Sequence, residues 1–404
     1  MIAQDIARAV RERLAAIPER ATMPDPELRK LVEEQIDTVQ KLPVFAGAEN
    51  PEVVRRAVVN DLLGFGPIQE LLDDSTISEI MVNAPGEIWV ERSGTISLSE
   101  STFESMDQLL RIIDRMVRSA GRRVDQSSPM VDARLPDGSR LNVVLPPLSV
   151  DGPAVTIRKF TSSGLDIDDL VSRGTLSAPA AEFLNEAVAS RMNVLVSGGT
   201  GTGKTTVLNI LSSFIAKDER VVTIEDAVEL TLRLPNLIRL EARPNNSEGA
   251  GEVNIRDLVR NSLRMRPNRI VVGEVRGSET IDMLQAMNTG HEGSLSTVHA
   301  NSPRDALRRL ETMILLAGVD LPLRAVREQI ASSIDLIVHL ARDARGRRFV
   351  TTITEVVGME SEVVSTADLF ARDFARGVDS ELPTLDPTGL VSSRLGLRRE
   401  RRAA

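Results

Sequence analysis

The segment Gly198-Gly199-Thr200-Gly201-Thr202-Gly203-Lys204-Thr205-Thr206 restricts the possible folds of this chain more than any other. It fits the pattern G-x-x-x-x-G-K-[ST]. Upstream, Asn193-Val194-Leu195-Val196-Ser197 is short and apolar, the form of a buried parallel strand. Downstream, Val207, Leu208, Ile210, Leu211, Phe214 and Ile215 recur at helical spacing. A glycine-rich turn between strand and helix lets backbone N–H groups point at phosphate oxygens, and the helix N-terminus adds its positive end. Lys204 is expected to reach the β- and γ-phosphates of a nucleoside triphosphate, and the Thr205 hydroxyl to ligate Mg²⁺. The 404 residues contain five lysines, so composition alone does not supply this match.

Such a loop needs alternating strands and helices around it, and residues 165–358 have them. Strands are expected at 193–197, 221–225, 237–241, 269–273, 294–298, 335–340 and 349–357. Helices are expected at 178–190, 204–216, 255–264, 278–288, 303–316 and 323–333, which gives an α/β domain with a largely parallel sheet. Thr161 to Gly164 reads as the linker before it. Residues 61–160 read as a small α+β domain. Its strands are Ile77–Val82, Glu87–Val90, Thr95–Leu98 and Ala154–Phe160, with a turn at Ser93-Gly94, a helix from Met106 to Val117 and a hairpin about Asp137-Gly138. Residues 1–60 carry two helical stripes, one from Ile2 to Ile17 and one from Leu28 to Val39, read as a helical cap. Residues 359–404 show little periodicity and a basic end from Arg394 to Arg402, and are expected to form a poorly ordered tail.

Composition excludes several classes. No run of eighteen apolar residues occurs and residues 1–13 lack a signal-peptide core, so a cytoplasmic protein is expected. With no cysteine there is no disulfide, catalytic thiol or thiolate zinc site. The net charge of −9, one Trp and no Tyr argue against stable nucleic-acid binding, which uses positive grooves and stacking platforms.

Three further constellations bear on phosphate chemistry. Val221 to Asp226 is an apolar strand ending in Glu225 and Asp226, with Glu229 just beyond. Carboxylates at such a strand end hold Mg²⁺ through waters. Arg269-Ile270-Val271-Val272-Gly273-Glu274-Val275-Arg276 has the form of a Walker B strand, with Gly273 where Asp is usual and Glu274 left to orient the attacking water. The missing Asp shifts metal support onto Glu225 or Glu229. Between Thr289 and Asn301 fall two of the three histidines, His291 and His299, read as a pair acting near the γ-phosphate; His339 reads as structural. Candidate cations for the developing charge are Arg134, Arg140, Arg158, Arg264 and Arg266.

Taken together, Gly198–Thr206, Ile224 to Glu229, Val271 to Gly277 and Gly290 to Asn301 resemble the Walker A, Asp box, Walker B and His box of the secretion-superfamily ATPases. Leu263-Arg264-Met265-Arg266-Pro267, Asp282 to Thr289, Ile80 to Asn83 and Ile88 to Arg92 are similar to the CpaF branch, which powers tight-adherence (Flp-type) pili. The resemblance covers about residues 55–360. It implies a RecA-like P-loop ATPase domain behind a small α+β domain and a homo-hexamer with ATP and Mg²⁺ held between the domains. It also implies inner-membrane pilus platform proteins as partners, with the ring peripheral to the membrane. It maps phosphate and metal binding to Lys204 and Thr205, the Walker B acid to Glu274, the Asp-box acid to Glu229 with Glu225 second, and the second His-box histidine to His299. The first-domain arginine maps to Arg158, with Arg140 second. The absence of cysteine disfavours the type II branch; a type IV secretion traffic ATPase is the alternative.

Overall fold

The computed structural model describes residues 2–18, 23–42, 51–92, 94–160, 164–243, 251–374, 383–396 and 398, and divides into two units, Met1–Thr161 and Ser162–Ala404. The expected turn at Ser93-Gly94, the linker at 161–164 and the basic residues 399–402 fall wholly or partly outside the described residues. Among the described residues no helix is long and apolar enough to cross a membrane.

In the first unit, helices α1 (Ile2–Ala15), α2 (Asp25–Gln40) and α3 (Pro51–Leu62) each carry one apolar stripe. They bury these stripes on one another through Ile6, Val10, Leu14, Val32, Ile36, Val39, Val54 and Val58. The expected cap is therefore a three-helix cluster with its own core. Asp61 ties this cluster to the α+β part of the unit. Its carboxylate pairs with Arg11 and accepts from Gln108 Nε2 at 2.6 Å, and its carbonyl accepts from Arg115 at 3.0 Å.

A short helix α4 (Gln69–Asp73) leads into β1 (Ile77–Ala84), β2 (Glu87–Arg92), β3 (Thr95–Leu98), α5 (Met106–Ser119), β4 (Met130–Arg134), β5 (Arg140–Val144) and β6 (Ala154–Arg158). The strands form a sheet of order β3-β2-β1-β6-β5-β4, paired antiparallel. Strand residues alternate across a sheet, so Ile80, Val82, Ile88, Val90, Leu141, Val143, Val155 and Ile157 share one face. The stripe Leu109, Ile112, Ile113, Met116, Val117 of α5 covers that face. The register sets Arg134 opposite Arg140, Arg140 opposite Arg158, and Arg158 opposite Glu79. Three of the candidate arginines thus stand in one row across three strands.

The second unit runs α6 (Ile167–Ser172), α7 (Ala178–Ala189), β7 (Val194–Gly198), α8 (Lys204–Ser212), β8 (Val221–Glu225), β9 (Leu237–Glu241), α9 (Ile255–Ser262), β10 (Arg269–Val275), α10 (Glu279–Asn288), β11 (Leu295–His299), α11 (Pro303–Leu316), α12 (Leu323–Ser333), β12 (Leu336–Arg342), β13 (Arg348–Glu360), β14 (Val363–Arg372) and β15 (Leu385–Pro387). Its sheet has the order β15-β14-β13-β12-β7-β11-β10-β8-β9. From β12 to β9 neighbours are parallel, and β13 to β15 are antiparallel. Helices α7 and α8 pack on one face, and α9 to α12 on the other. The α/β reading of 165–358 is the architecture found.

The tail expectation is overturned. Residues 363–372 and 385–387 extend the sheet, and Leu369, Phe370, Leu385 and Leu395 enter the core beside α7, with Phe370 and Phe183 ring centroids 5.5 Å apart. Arg394 and Arg398 are not solvated. They pair with the buried Asp335 at 3.3 and 2.8 Å, and that carboxylate also accepts from Asn193 N at 2.8 Å. Glu355 accepts from the backbone N–H groups of Ser393 at 3.2 Å and Arg394 at 3.0 Å, capping the short helix that begins there.

Candidate functional site

Strand β7 is buried along its whole length and delivers the chain to the phosphate loop at the C-terminal edge of the parallel strands. Gly198 lies in register between His299 of β11 and Leu340 of β12. A Cβ there would stand 2.6 Å from Thr202 Oγ1 and 2.7 Å from the Leu340 carbonyl oxygen, so the loop can hug the sheet only through glycine. Gly203 caps α8 with φ +95°, a left-handed conformation that glycine adopts at no steric cost. Lys204 Nζ and Thr202 Oγ1 both donate to the Gly199 carbonyl, each at 2.9 Å, which holds the lysine along the loop. Thr205 sits in the first turn of α8, half-buried.

Glu225 does not serve as expected. It is 3 % exposed, and its Oε1 accepts from the backbone N–H groups of Glu229 at 2.9 Å and Leu230 at 3.0 Å. A carboxylate committed to folding the following loop is poorly placed to support a metal. It also accounts for Gly273: a Cβ at that position would lie 2.8 Å from Glu225 Cγ. The acid missing from the end of β10 is displaced by the acid at the end of β8. Asp226, exposed, and Glu229, half-buried, remain on the loop that Glu225 holds.

Glu274 is fixed by a residue the motif reading passed over. Arg276 donates through Nε to Glu274 at 2.8 Å and through Nη1 to Asp226 at 3.2 Å, so the guanidinium joins the Walker B and Asp-box carboxylates. Burial alone would lower the Arg276 pKa. The hydrogen bond and charge of Glu274, with Asp226 and Glu229, outweigh that and hold it above its ordinary value. The signal available in the sequence was the two-residue spacing, which puts Glu274 and Arg276 on one face of an extended segment. Glu279 accepts from the N–H groups of Arg276 at 2.6 Å and Gly277 at 2.8 Å, securing the turn. Thr297 Oγ1 donates to the Gly273 carbonyl at 2.7 Å and ties β11 to β10.

The two histidines do not act as a pair. His299 ends β11 beside Gly198, whereas His291 precedes β11, its Nδ1 3.1 Å from the Pro267 carbonyl. The four strand residues Leu295 to Val298, at about 3.3 Å each, lie between them. Arg264 and Arg266 likewise precede β10, at the end opposite Glu274. Two cations that sequence reasoning did not flag lie beside the loop instead. Arg342 Nη1 is 3.6 Å from the position of a Cβ on Gly201, and Arg348 Cδ is 3.8 Å from that of one on Gly203. Arg158 and Arg140 belong to the first unit, where they face each other across β6 and β5.

Among the described residues no three His, Asp or Glu side chains converge to hold a metal ion. The donor set suits Mg²⁺ bound chiefly through phosphates and waters, with the Thr205 hydroxyl and the outer carboxylates of Asp226 and Glu229.

Residues 61–368 match the family described as "Type II/IV secretion system protein". A putative conjugal transfer protein of Mycobacterium tuberculosis is 39% identical over 314 residues, covering 76% of this chain and 89% of the relative. The type IV secretion system protein VirB11 of Bartonella quintana is 30% identical over 326 residues, covering 71% and 90%. Among solved structures, the pilus retraction motor PilT with bound ADP is similar in fold, with TM-score 0.54 and 20% identity, covering 83% of this chain and 85% of that one.

Proposed function

Because the chain belongs to the type II/IV secretion system protein family, we infer that it is an ATPase that drives a secretion-type membrane machine. The observation that carries the reading is the convergence of four elements at the C-terminal edge of one parallel sheet. These are the phosphate loop after β7, Asp226 and Glu229 after β8, Glu274 at the end of β10, and His299 at the end of β11. The loop N–H groups, the α8 N-terminus and Lys204 hold the phosphates. Thr205, Asp226 and Glu229 would hold Mg²⁺, which would supply charge neutralisation for the phosphates. Glu274, oriented by Arg276, accepts from the attacking water. His299 donates to the γ-phosphate end, and the resemblance assigns the further transition-state cation to Arg158, with Arg140 second. The active form is a homo-hexamer at the cytoplasmic face of the membrane, attached through the membrane proteins it drives.

Lys204→Ala is expected to abolish ATP binding or hydrolysis. Glu274→Gln is expected to bind ATP and lose turnover by about a hundredfold or more. Nucleotide-binding fluorescence with steady-state phosphate release tests both, and near-normal turnover in Glu274→Gln overturns the role of Glu274. Strong stimulation by single-stranded DNA would move the reading to a nucleic-acid motor.

Two finer readings have separate support. The conjugal transfer and VirB11 relatives favour a type IV secretion traffic ATPase. The segments Leu263–Pro267 and Asp282–Thr289 favour the assembly of tight-adherence pili. Complementing a deletion strain with the wild type and with Glu274→Gln separates the two. Loss of surface filaments supports the second, and loss of substrate transfer with filaments intact supports the first.

A further inference from the structure

Strand β12 carries a histidine at a position that an apolar residue would fill at lower cost. His339 lies between Val338 and Leu340 and is 6 % exposed. A buried imidazole is costly unless both ring nitrogens are hydrogen-bonded. Here both are. Nδ1 is 2.9 Å from Ser197 Oγ, and a backbone hydrogen bond joins the ring to Asn301. The Asn301 bond favours the ring proton, as a carbonyl acceptor does, and the tautomer protonated on Nε2 leaves Nδ1 to accept from the Ser197 hydroxyl.

The two partners are not arbitrary. Ser197 is the register neighbour of His339 on β7 and immediately precedes Gly198. Asn301 is two residues beyond His299, in the segment that turns from β11 into α11. The same segment is held at two further points. Ala300 N–H donates to the Gly198 carbonyl at 3.3 Å, and the Ser302 hydroxyl accepts from Asp305 N at 3.1 Å to cap α11. His339 thus closes a short circuit from the foot of the phosphate loop to the backbone that carries His299.

We propose that His339 is a positioning residue that fixes His299 against the phosphate loop and so sets the hydrolytic rate without touching the nucleotide. The proposal rests on the ATPase reading above. It is built around the neutral ring: a proton on Nδ1 would turn the Ser197 hydroxyl from donor to acceptor and place a charge in a site that is 6 % exposed. Burial holds His339 below its ordinary value of 6.5, against the Asn301 carbonyl and the negative charge of Asp305 on α11, which favour the proton. The strands on either side, β7 and β13, present the neutral Ser197 and Thr352 in register.

The test is steady-state MgATP hydrolysis by the full chain from pH 5.5 to 8.5 for wild type, His339→Gln and His339→Ala, with thermal melts of each. Gln offers a donor group and an acceptor group, as the neutral imidazole does, and does not titrate. His339→Ala is expected to lower kcat roughly tenfold with KM within about twofold. His339→Gln is expected to recover most of kcat and to lose the acid-side decline expected of wild type, which lies on the acid side of an ordinary imidazole because burial lowers the His339 pKa. Wild-type kcat in His339→Ala, or an unchanged acid limb in a folded His339→Gln, overturns the proposal. A wild type that hydrolyses no ATP at any pH overturns the ATPase reading itself.

Discussion

Glu225 occupies the space beside Gly273, so no side chain fits at 273 while Glu225 stays in place. Writing the usual Walker B acid into this chain, Gly273→Asp, is therefore expected to harm it. A side chain begun 2.8 Å from Glu225 Cγ has to displace a carboxylate that carries two backbone hydrogen bonds. Overpacking of this kind costs about 1–3 kcal/mol, and the Asp-box loop loses its anchor with it. A urea-denaturation midpoint and an ATPase assay on Gly273→Asp check this: the expected result is a lower midpoint and lower turnover, with no gain in Mg²⁺ affinity. Arg276 shows the complementary case, in which a charge is placed by its partners. Its bonds to Glu274 and Asp226 connect residues 50 positions apart in the chain, a distance that no local pattern spans.

Parallel strands buried on both faces are written as near-continuous apolar runs, which is why 221–225 could be bounded from the sequence. The phosphate loop was legible for a related reason: its glycines, lysine and threonine are consecutive. Of the outer antiparallel strands, β13 was legible as 349–357, but β14 and β15 were not. Leu369, Phe370, Leu385 and Leu395 are spread across a polar, proline-containing stretch, and each gains burial only from α7 and the neighbouring strands. Arg394 and Arg398 looked like solvated charge because their partner, Asp335, sits about sixty residues earlier in a strand-entry position. That element is expected to hold the domain shut. Asp335→Ala leaves two guanidinium groups without their buried counter-charge and costs about 3–5 kcal/mol, the penalty for breaking a buried pair. Differential scanning calorimetry on this variant checks the figure. A loss below about 1 kcal/mol would mean that solvent already screens the cluster.

On the scale of the whole molecule, each unit has a hydrophobic core of its own, and the phosphate loop and the row of first-unit arginines lie in different units. If Arg158 takes the cation role proposed for it, binding and hydrolysis separate genetically. Arg158→Ala is expected to keep ATP affinity within about threefold, because Lys204 and the α8 N-terminus belong to the second unit, and to slow hydrolysis about tenfold or more. Equilibrium binding and single-turnover hydrolysis measure the two quantities independently, and a normal single-turnover rate would transfer the role to Arg342 or Arg348. The row Arg134–Arg140–Arg158 could not be read from the sequence, because a row across strands is set by register and not by spacing.

The packing of Leu385 and Leu395 into the second core also bears on the order of synthesis. The first unit has every residue of its core once Ile157 has been made. The nucleotide-binding unit cannot complete its core, or neutralise Asp335, until Leu395 and Arg398 have left the ribosome. Strands β7 to β12 thus wait for their last partners while the rest of the chain is made, the interval in which such apolar segments aggregate or recruit chaperones. Slowing translation ahead of residue 385 would lengthen that interval without changing a single contact in the finished protein.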